Sequence, residues 1–314
     1  MLPLIIITVM AAVPAVALAF DAFWIGFSRK KTSLMSLDLH KPNKILAAKI
    51  GGLPNSFTLT ASIISLYLIF RDPRFWFVGM ISLTVSLIGI IDDFAPLGNL
   101  EKILFVGFPF LMLSRIAHPI DALVITIPAS LFLIIAFLFG TFAGNATNIL
   151  AGFNGLEVGL FVIASFFLLL ISVLIGNTTA SLLLLLGILC YVPLLVFNWY
   201  PAKAFPGNVS TLQMGAFLAS VALISWEEVY LAVIMVPYLM DFLLKVVSWG
   251  KTSQKVPSKV GSDGLLNPPP NMSLPALILR LRRMSEKRLV ISLYSLEIFF
   301  SLLAVALLFV HSPA

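Results

Sequence analysis

The sequence predicts an all-α, polytopic integral membrane protein of about ten transmembrane helices. Three observations predict it. Of 314 residues, 60% are apolar and only 11% charged, and the mean hydropathy is +1.06. The apolar residues fall in runs near the length of about 20 that spans a bilayer, and the basic residues gather in alternate loops. A soluble domain carries roughly 25% charged residues, so a soluble globular class is excluded and lipid must be the solvent.

The apolar runs occupy residues 2–27, 51–70, 75–91, 103–117, 121–140, 156–176, 179–198, 208–225, 228–248 and 289–311, the fourth being short. The first could be mistaken for a signal peptide. Its start carries no basic residue, however, and Phe20-Asp21-Ala22-Phe23-Trp24 is a poor cleavage site, so a retained span is expected. Ten spans with short loops leave no room for a second folded domain. Residues 1–314 are therefore read as one transmembrane domain, with cytoplasmic loops near 28–50, 92–102, 141–155, 199–207 and 249–288. The single cysteine, Cys190, lies inside an apolar run and reads as a buried thiol.

Charge sets the expected orientation. One set of loops, with Lys245 at its edge, holds 17 of the 20 lysines and arginines; the other face holds Arg71, Arg74 and Arg115. The positive-inside rule places the first set in the cytoplasm and, with ten spans, both termini outside. Basic residues at a membrane also attract anionic head groups, which accounts equally well for Arg29 to Lys31 and for Arg280 to Arg283. These residues read as membrane-facing, and no nucleic-acid partner is expected.

The same face carries residues that plain loops do not need. Asp92-Asp93 ends the third run, with Lys102 nine residues on. Adjacent carboxylates repel unless a cation lies beside them, so they are either solvated loop acids or part of a metal–phosphate site. After the fifth run come Asn145, Asn148 and Asn154, with Gly144, Gly152, Gly155 and Glu157. Asn145, Asn148 and Gly152 fall at helical spacing on one face. Amide oxygens suit Mg²⁺, although asparagines also bond helices together. Phe205-Pro206-Gly207-Asn208 opens the eighth run, either as an anion-binding helix start or as an ordinary turn and cap. The long loop 249–288 holds Lys255-Val256-Pro257-Ser258-Lys259, a proline-rich break and an amphipathic stretch suited to the lipid interface.

These motifs resemble those of the polyprenyl-phosphate N-acetylhexosamine-1-phosphate transferases. The chain is most similar to the members that join UDP-N-acetylglucosamine to dolichyl phosphate at the start of N-glycan assembly. Residues 145–157 nearly reproduce the family string N-A-x-N-x-L-A-G-x-N-G-L-E. Asp38-Leu39-His40-Lys41, Asp92-Asp93 with Lys102, Phe205 to Asn208, Asn271-Met272-Ser273-Leu274 and Glu286-Lys287-Arg288 follow in family order.

The resemblance implies Mg²⁺ as cofactor, with Mn²⁺ as its substitute. Asn148 and Asn208 take metal positions. Asp92 and Asp93 line the site and orient or deprotonate the acceptor phosphate, and Lys102 holds the donor diphosphate. Lys41, Asn145, Asn154, Glu157, Phe205, Lys255 and Lys259 take substrate-binding positions: Asn154 bonds uracil, Phe205 stacks on it, and Lys41 holds phosphate at the membrane surface. The implied partners are UDP-N-acetylglucosamine, dolichyl or another polyprenyl phosphate and the bilayer itself, and a homodimer is compatible with them. The implied setting is the archaeal plasma membrane, or the endoplasmic reticulum in a eukaryote.

Two departures bear on this. Asn208 stands where the family usually has aspartate, and the lysines at 255 and 259 stand in a loop where it usually has H-R-x-P-R, losing arginine's bidentate fork. The donor sugar and the acceptor lipid, undecaprenyl phosphate included, thus stay open. The rival from another class is a transporter, which places ionisable groups near the bilayer midplane. Here nearly all acids sit at the junctions, and only Glu297 and Asp21 read as intramembrane.

Overall fold

The computed structural model describes residues 2–41, 45–122, 125–248 and 258–311. Its helices are α1 (Leu2–Ser28), α2 (Leu53–Phe70), α3 (Pro73–Phe94), α4 (Asn99–Gly107), α5 (Phe132–Ile149), α6 (Leu156–Leu174), α7 (Thr178–Asn198) and α8 (Asn208–Ser225). They continue with α9 (Glu228–Ile234), α10 (Val236–Ser248), α11 (Leu274–Leu281) and α12 (Glu286–His311). Among the described residues eight single helices are long and apolar enough to cross a membrane, and α9 with α10 forms a ninth, bent by 59°. The protein is a polytopic membrane protein, and exposed Phe23, Leu138 and Val196 are the lipid-facing surface it requires.

The fourth run does not form one continuous α-helix. Residues 99–116 are α4 followed by a 3₁₀ stretch, Phe108–Ile116. Pro109 has no N–H to donate to Phe105, which ends the α-helical ladder. The rod still runs alongside α5, from Val106 opposite Gly144 to His118 against Phe132. The fifth span also differs, because residues 120–122 and 125–127 form a ribbon of β3 (Ile120–Ala122) and β4 (Ile125–Ile127). Its Ile and Thr side chains are stiff at χ1 and favour the extended state, and Pro128 precedes the helix. As a result α5 ends nine residues later than the apolar run, and Asn145 and Asn148 lie inside it. A second ribbon pairs β1 (Met35–Leu37) with β2 (Leu46–Ala48).

The centre of the bundle is α8, in which every residue after Asn208 is buried. It packs between α3 and α5, with α6 and α7 closing the other side; α1 lies on α7 and α2, and α12 on α6 and α9. Two glycines allow near backbone contact. A Cβ on Gly215 would lie 2.0 Å from the Ala143 carbonyl oxygen of α5, and one on Gly89 of α3 would lie 2.5 Å from that of Asn208. Ser210, Thr211, Gln213 and Ser220 of α8 find hydrogen-bond partners inside the bundle. Gln213 accepts from the Tyr191 hydroxyl at 2.7 Å and donates to the Ser56 carbonyl, Thr60 Oγ1 and the Ser82 carbonyl at 3.1–3.3 Å. Asp21 takes a bond from Asn55 at 3.0 Å, and Glu297 is fully buried.

The end of the bundle away from Asp92 holds a second buried polar group. His118 stacks on Trp226 with centroids 4.3 Å apart, and its Nε2 lies 3.4 Å from Glu228 Oε1. Burial acts to lower the imidazole's pKa, but Glu228 and the Ile116 carbonyl outweigh it and raise it. Burial pushes the Glu227 carboxyl from 4.5 up to about 8, against the hydrogen bond it accepts from Ser172 and with the help of neighbouring Glu228.

Two measurements test this packing. Gly215→Val should lower the thermal midpoint of the detergent-purified protein, at a cost of about 1–3 kcal/mol from overpacking. Gly26→Ala, with nothing within 4 Å of the new Cβ, should not lower it. Because folded Glu227 holds its proton more tightly than the unfolded chain does, its contribution to stability is full below about 4.5 and is lost as pH rises through about 8. Glu227→Gln should flatten the fall in thermal midpoint across that window.

Candidate functional site

The close packing of α8 brings together the C-terminal ends of α3 and α5 and the N-terminal end of α8. Asp92 and Asp93 lie in the last turn of α3, one helical turn beyond Gly89. Asn145 and Asn148 lie in the last turns of α5, and Asn208 begins α8. Lys41, Lys49, Lys102 and Lys245 lie at this same end.

The two aspartates have different surroundings. Asp93 Oδ1 accepts the Asn208 N–H and Oδ2 the Val209 N–H, each at 3.0 Å. It caps α8 from a neighbouring helix, satisfying donors that a helix start leaves free. Gly207, at φ 76°, makes room, since a Cβ there would lie 2.9 Å from Asp93 Oδ2. Lys49 donates to the Asp93 carbonyl at 3.0 Å. Asp92 takes the Leu97 N–H on Oδ1 at 2.9 Å, and its Oδ2 meets Lys102 Nζ at 2.5 Å. Lys102 remains partly exposed while Asp92 is almost fully buried. Asn148 Oδ1 accepts from Thr211 Oγ1, one turn along α8, at 3.1 Å, and Asn145 donates back to the Thr141 carbonyl at 2.8 Å.

Beside this lies a second charged cluster. Lys41 is an expected phosphate ligand, but its side chain is 1% exposed and pairs with Asp38 at 3.2 Å and with Glu286. Its ammonium also lies 4.0 Å over the Tyr200 ring. Asn154 donates its amide to Asp38 Oδ2 and its backbone N–H to Glu286 Oε1, both at 2.8 Å. The structure thus places Lys41 and Asn154 in an internal network that locks residues 38–41, the asparagine string and α12 together. Glu157 accepts the Gly152 N–H at 2.6 Å, and its other oxygen has no hydrogen-bond partner among the described residues. Phe205 is fixed by its backbone, which pairs with Ala48 and Gly51 at 2.9 and 2.6 Å. Lys259 is exposed. Its neighbour Ser258 bonds His40 at 3.1 Å, and His40 stacks on Phe153 at 4.5 Å, next to Asn154. Lys255 lies outside the described residues.

Sequence reasoning missed several members. Asn198 accepts the Gly155 N–H at 3.1 Å and donates to the Ala204 carbonyl at 2.9 Å, joining two junctions. Lys49, Tyr200 and Thr211 sit in ordinary-looking segments with no signal of their own. Lys245 registered only as a charge, although its position at the end of an apolar run was a signal.

Magnesium takes hard oxygen ligands and is bound through one or two carboxylates together with phosphate oxygens. The oxygens near the start of α8 meet that description: the Asp92 carboxylate, whose Oδ2 is paired with Lys102, and the side-chain amides of Asn148 and Asn208. Among the described residues no group of three histidine, cysteine or acidic side chains is placed to hold a metal. The donor set therefore fits a cation shared with a ligand's phosphate rather than one caged by protein.

The sequence profile of glycosyl transferase family 4 matches residues 75–226, which contain both aspartates, Lys102, the asparagine string and Asn208. A protein of Methanocaldococcus jannaschii provisionally named a glycosyltransferase is 36% identical over 92% of this chain and 94% of its own length. The chain belongs to glycosyl transferase family 4. A Saccharolobus solfataricus protein provisionally named a UDP-N-acetylglucosamine–dolichyl-phosphate N-acetylglucosaminephosphotransferase is 30% identical over 90% of the chain and 91% of its own length. The phospho-N-acetylmuramoyl-pentapeptide-transferase of Staphylococcus carnosus is 24% identical over 60% and 67%. The family 4 chain is thus an enzyme of the transferase class.

The two aspartates can be separated by experiment. Asp93→Ala leaves two buried N–H groups without acceptors and should cost about 1–3 kcal/mol of stability, read as a lower thermal midpoint. Asp92→Asn retains an oxygen for the Leu97 N–H and should change that midpoint little.

Proposed function

We propose that this enzyme transfers N-acetylglucosamine 1-phosphate from UDP-N-acetylglucosamine to dolichyl or another polyprenyl phosphate, releasing UMP, at the cytoplasmic surface of the membrane. The observation that carries the proposal is the placing of Asp92, Lys102, Asn148 and Asn208 where α3 and α5 end and the buried α8 begins. A water-soluble nucleotide and a membrane-embedded acceptor can both reach such a boundary. The concentration of basic residues at this end supports a cytoplasmic site, with both termini outside.

In the reaction an oxygen of the lipid phosphate forms a bond to the β-phosphorus of the donor. The bond from that phosphorus to the UMP oxygen breaks, and UMP leaves with the electron pair. Phosphoryl transfer needs positioning and charge neutralisation more than covalent chemistry. Asp92 orients the acceptor phosphate and takes its proton when that phosphate arrives protonated. Lys102, released from its ion pair with Asp92, holds the donor diphosphate. Asn148, Asn208 and Asp92 would hold Mg²⁺, which when bound neutralises phosphate charge and favours departure of UMP. Asp93 acts through α8, fixing where Asn208 and Thr211 stand. Phe205 borders the uracil, and Asn154 reaches it when its bond to Asp38 opens. Lys255 and Lys259 border the sugar, and their lack of an arginine fork makes the donor sugar the first feature to screen.

Purified protein given UDP-N-acetylglucosamine and dolichyl phosphate should release UMP only with Mg²⁺ or Mn²⁺, and mass spectrometry should find a lipid-linked sugar diphosphate. Asp92→Asn and Lys102→Ala should each reduce turnover about 100-fold or more, the scale of losing one charge-stabilising group. Release of UMP from a different UDP-hexosamine alone would reassign the donor, and wild-type rates in both variants would remove these residues from the chemistry.

A further inference from the structure

The bent span ends in a feature that charge topology does not explain. A lysine at a membrane boundary ordinarily extends toward head groups and water. Lys245, in the last turn of α10, instead places its ammonium 2.6 Å from the Ile149 carbonyl oxygen and 2.8 Å from Asp241 Oδ2. Ile149 is the last residue of α5 and the immediate neighbour of Asn148. Its carbonyl belongs to the set that a helix end leaves without intrahelical donors, where cations are favoured. Asp241 is fully buried, so its charge must be paired on both oxygens. Its Oδ1 accepts the Leu274 N–H, at the start of α11, at 2.7 Å. Ser273 caps the same helix start by accepting the Ala276 N–H at 3.1 Å. One ion pair therefore joins the end of α5 to the segment that returns from Lys259. The 59° bend between α9 and α10 gives α10 the direction from which its last turn reaches α5.

We propose that Lys245, held by Asp241, is a positioning residue for Asn148: the pair fixes where α5 ends and ties that end to the loop leading into α11. This rests on the reading of Asn148 as part of the magnesium site. An amide oxygen displaced by about 1 Å can cost a catalytic geometry about 100-fold. Neither Lys245 nor Asp241 need touch substrate for that effect.

Hydrogen–deuterium exchange on the full-length protein, without metal or substrate, tests the brace directly. Lys245→Met should speed exchange of the amides at 149–153 at least about 10-fold, and Lys245→Arg should restore slow exchange, because a guanidinium still donates to a carbonyl. Asp241→Asn should speed the same amides, and the double variant should exchange no faster than the faster single one, as expected for residues acting as a unit. In the transferase assay Lys245→Met should raise the half-saturating Mg²⁺ concentration at least about 10-fold and leave the KM for the acceptor lipid within about twofold. Unchanged exchange at 149–153 in both Lys245→Met and Asp241→Asn, or fully additive effects, would overturn the brace. Faster exchange with an unaltered Mg²⁺ response would overturn the link to Asn148. Should Lys245→Met not fold, Asp241→Asn and Lys245→Arg decide the same points by exchange. A wild-type protein with no Mg²⁺-dependent transfer would overturn the proposed function while leaving the exchange result to decide the brace.

Discussion

The burial of α8 on all sides is the constraint on which the rest depends. A helix surrounded by other helices in lipid gains little from the hydrophobic effect, because its alternative surroundings are equally apolar. What holds it is close approach and internal hydrogen bonding. Gly89 and Gly215 let α3 and α5 come within backbone distance, and Gln213 binds groups from α2, α3 and α7 at one depth. Once α3 and α5 are seated on α8, the ends of all three are fixed relative to one another. The site is a consequence of that seating: its residues are the first polar positions beyond the packed core.

At that junction the fold divides a carboxylate pair between two tasks. Adjacent like charges at a membrane boundary repel, and here the repulsion is relieved differently on each side. Asp93 faces two backbone N–H groups at the positive end of α8, which hold it in a fixed structural place. Asp92 faces the partly exposed ammonium of Lys102, a side chain long enough to reach an arriving phosphate. The same separation holds for the lysines. Lys41 is enclosed by Asp38, Glu286 and the Tyr200 ring, whereas Lys102 keeps contact with solvent.

Much of this was legible in the sequence, and the parts that were not have physical reasons. Long apolar runs gave the spans, since their hydropathy alone decides partition into lipid. The fourth and fifth runs misled because hydropathy does not report backbone geometry: Pro109 turns an apolar rod from α to 3₁₀, and the β-branched run before Pro128 forms a ribbon although it is equally apolar. Proline alone is no guide, because Pro14 and Pro193 sit within unbroken helices. The asparagine string and the aspartate pair were visible as polar residues in unexpected places. The capping role of Asp93 was not, because its partners lie 115 and 116 residues away. Lys41 and Glu286 were quoted in separate motifs, and only the fold reveals that they pair across 245 residues.

The polar content of α8 also bears on biogenesis. Ser210, Thr211, Gln213, Ser220 and Ser225 make it the least apolar of the single-helix spans. A segment leaving the translocon alone is sorted by its own hydrophobicity, and each polar side chain near its centre opposes insertion. The order of the chain offsets this difficulty, because α2, α3, α5 and α7 precede α8 and supply its glycine surfaces and the partners of Gln213. By the time α8 is synthesised, its receptor in the membrane already exists. The helix that organises the mature enzyme is therefore one whose entry into the bilayer depends on the helices made before it.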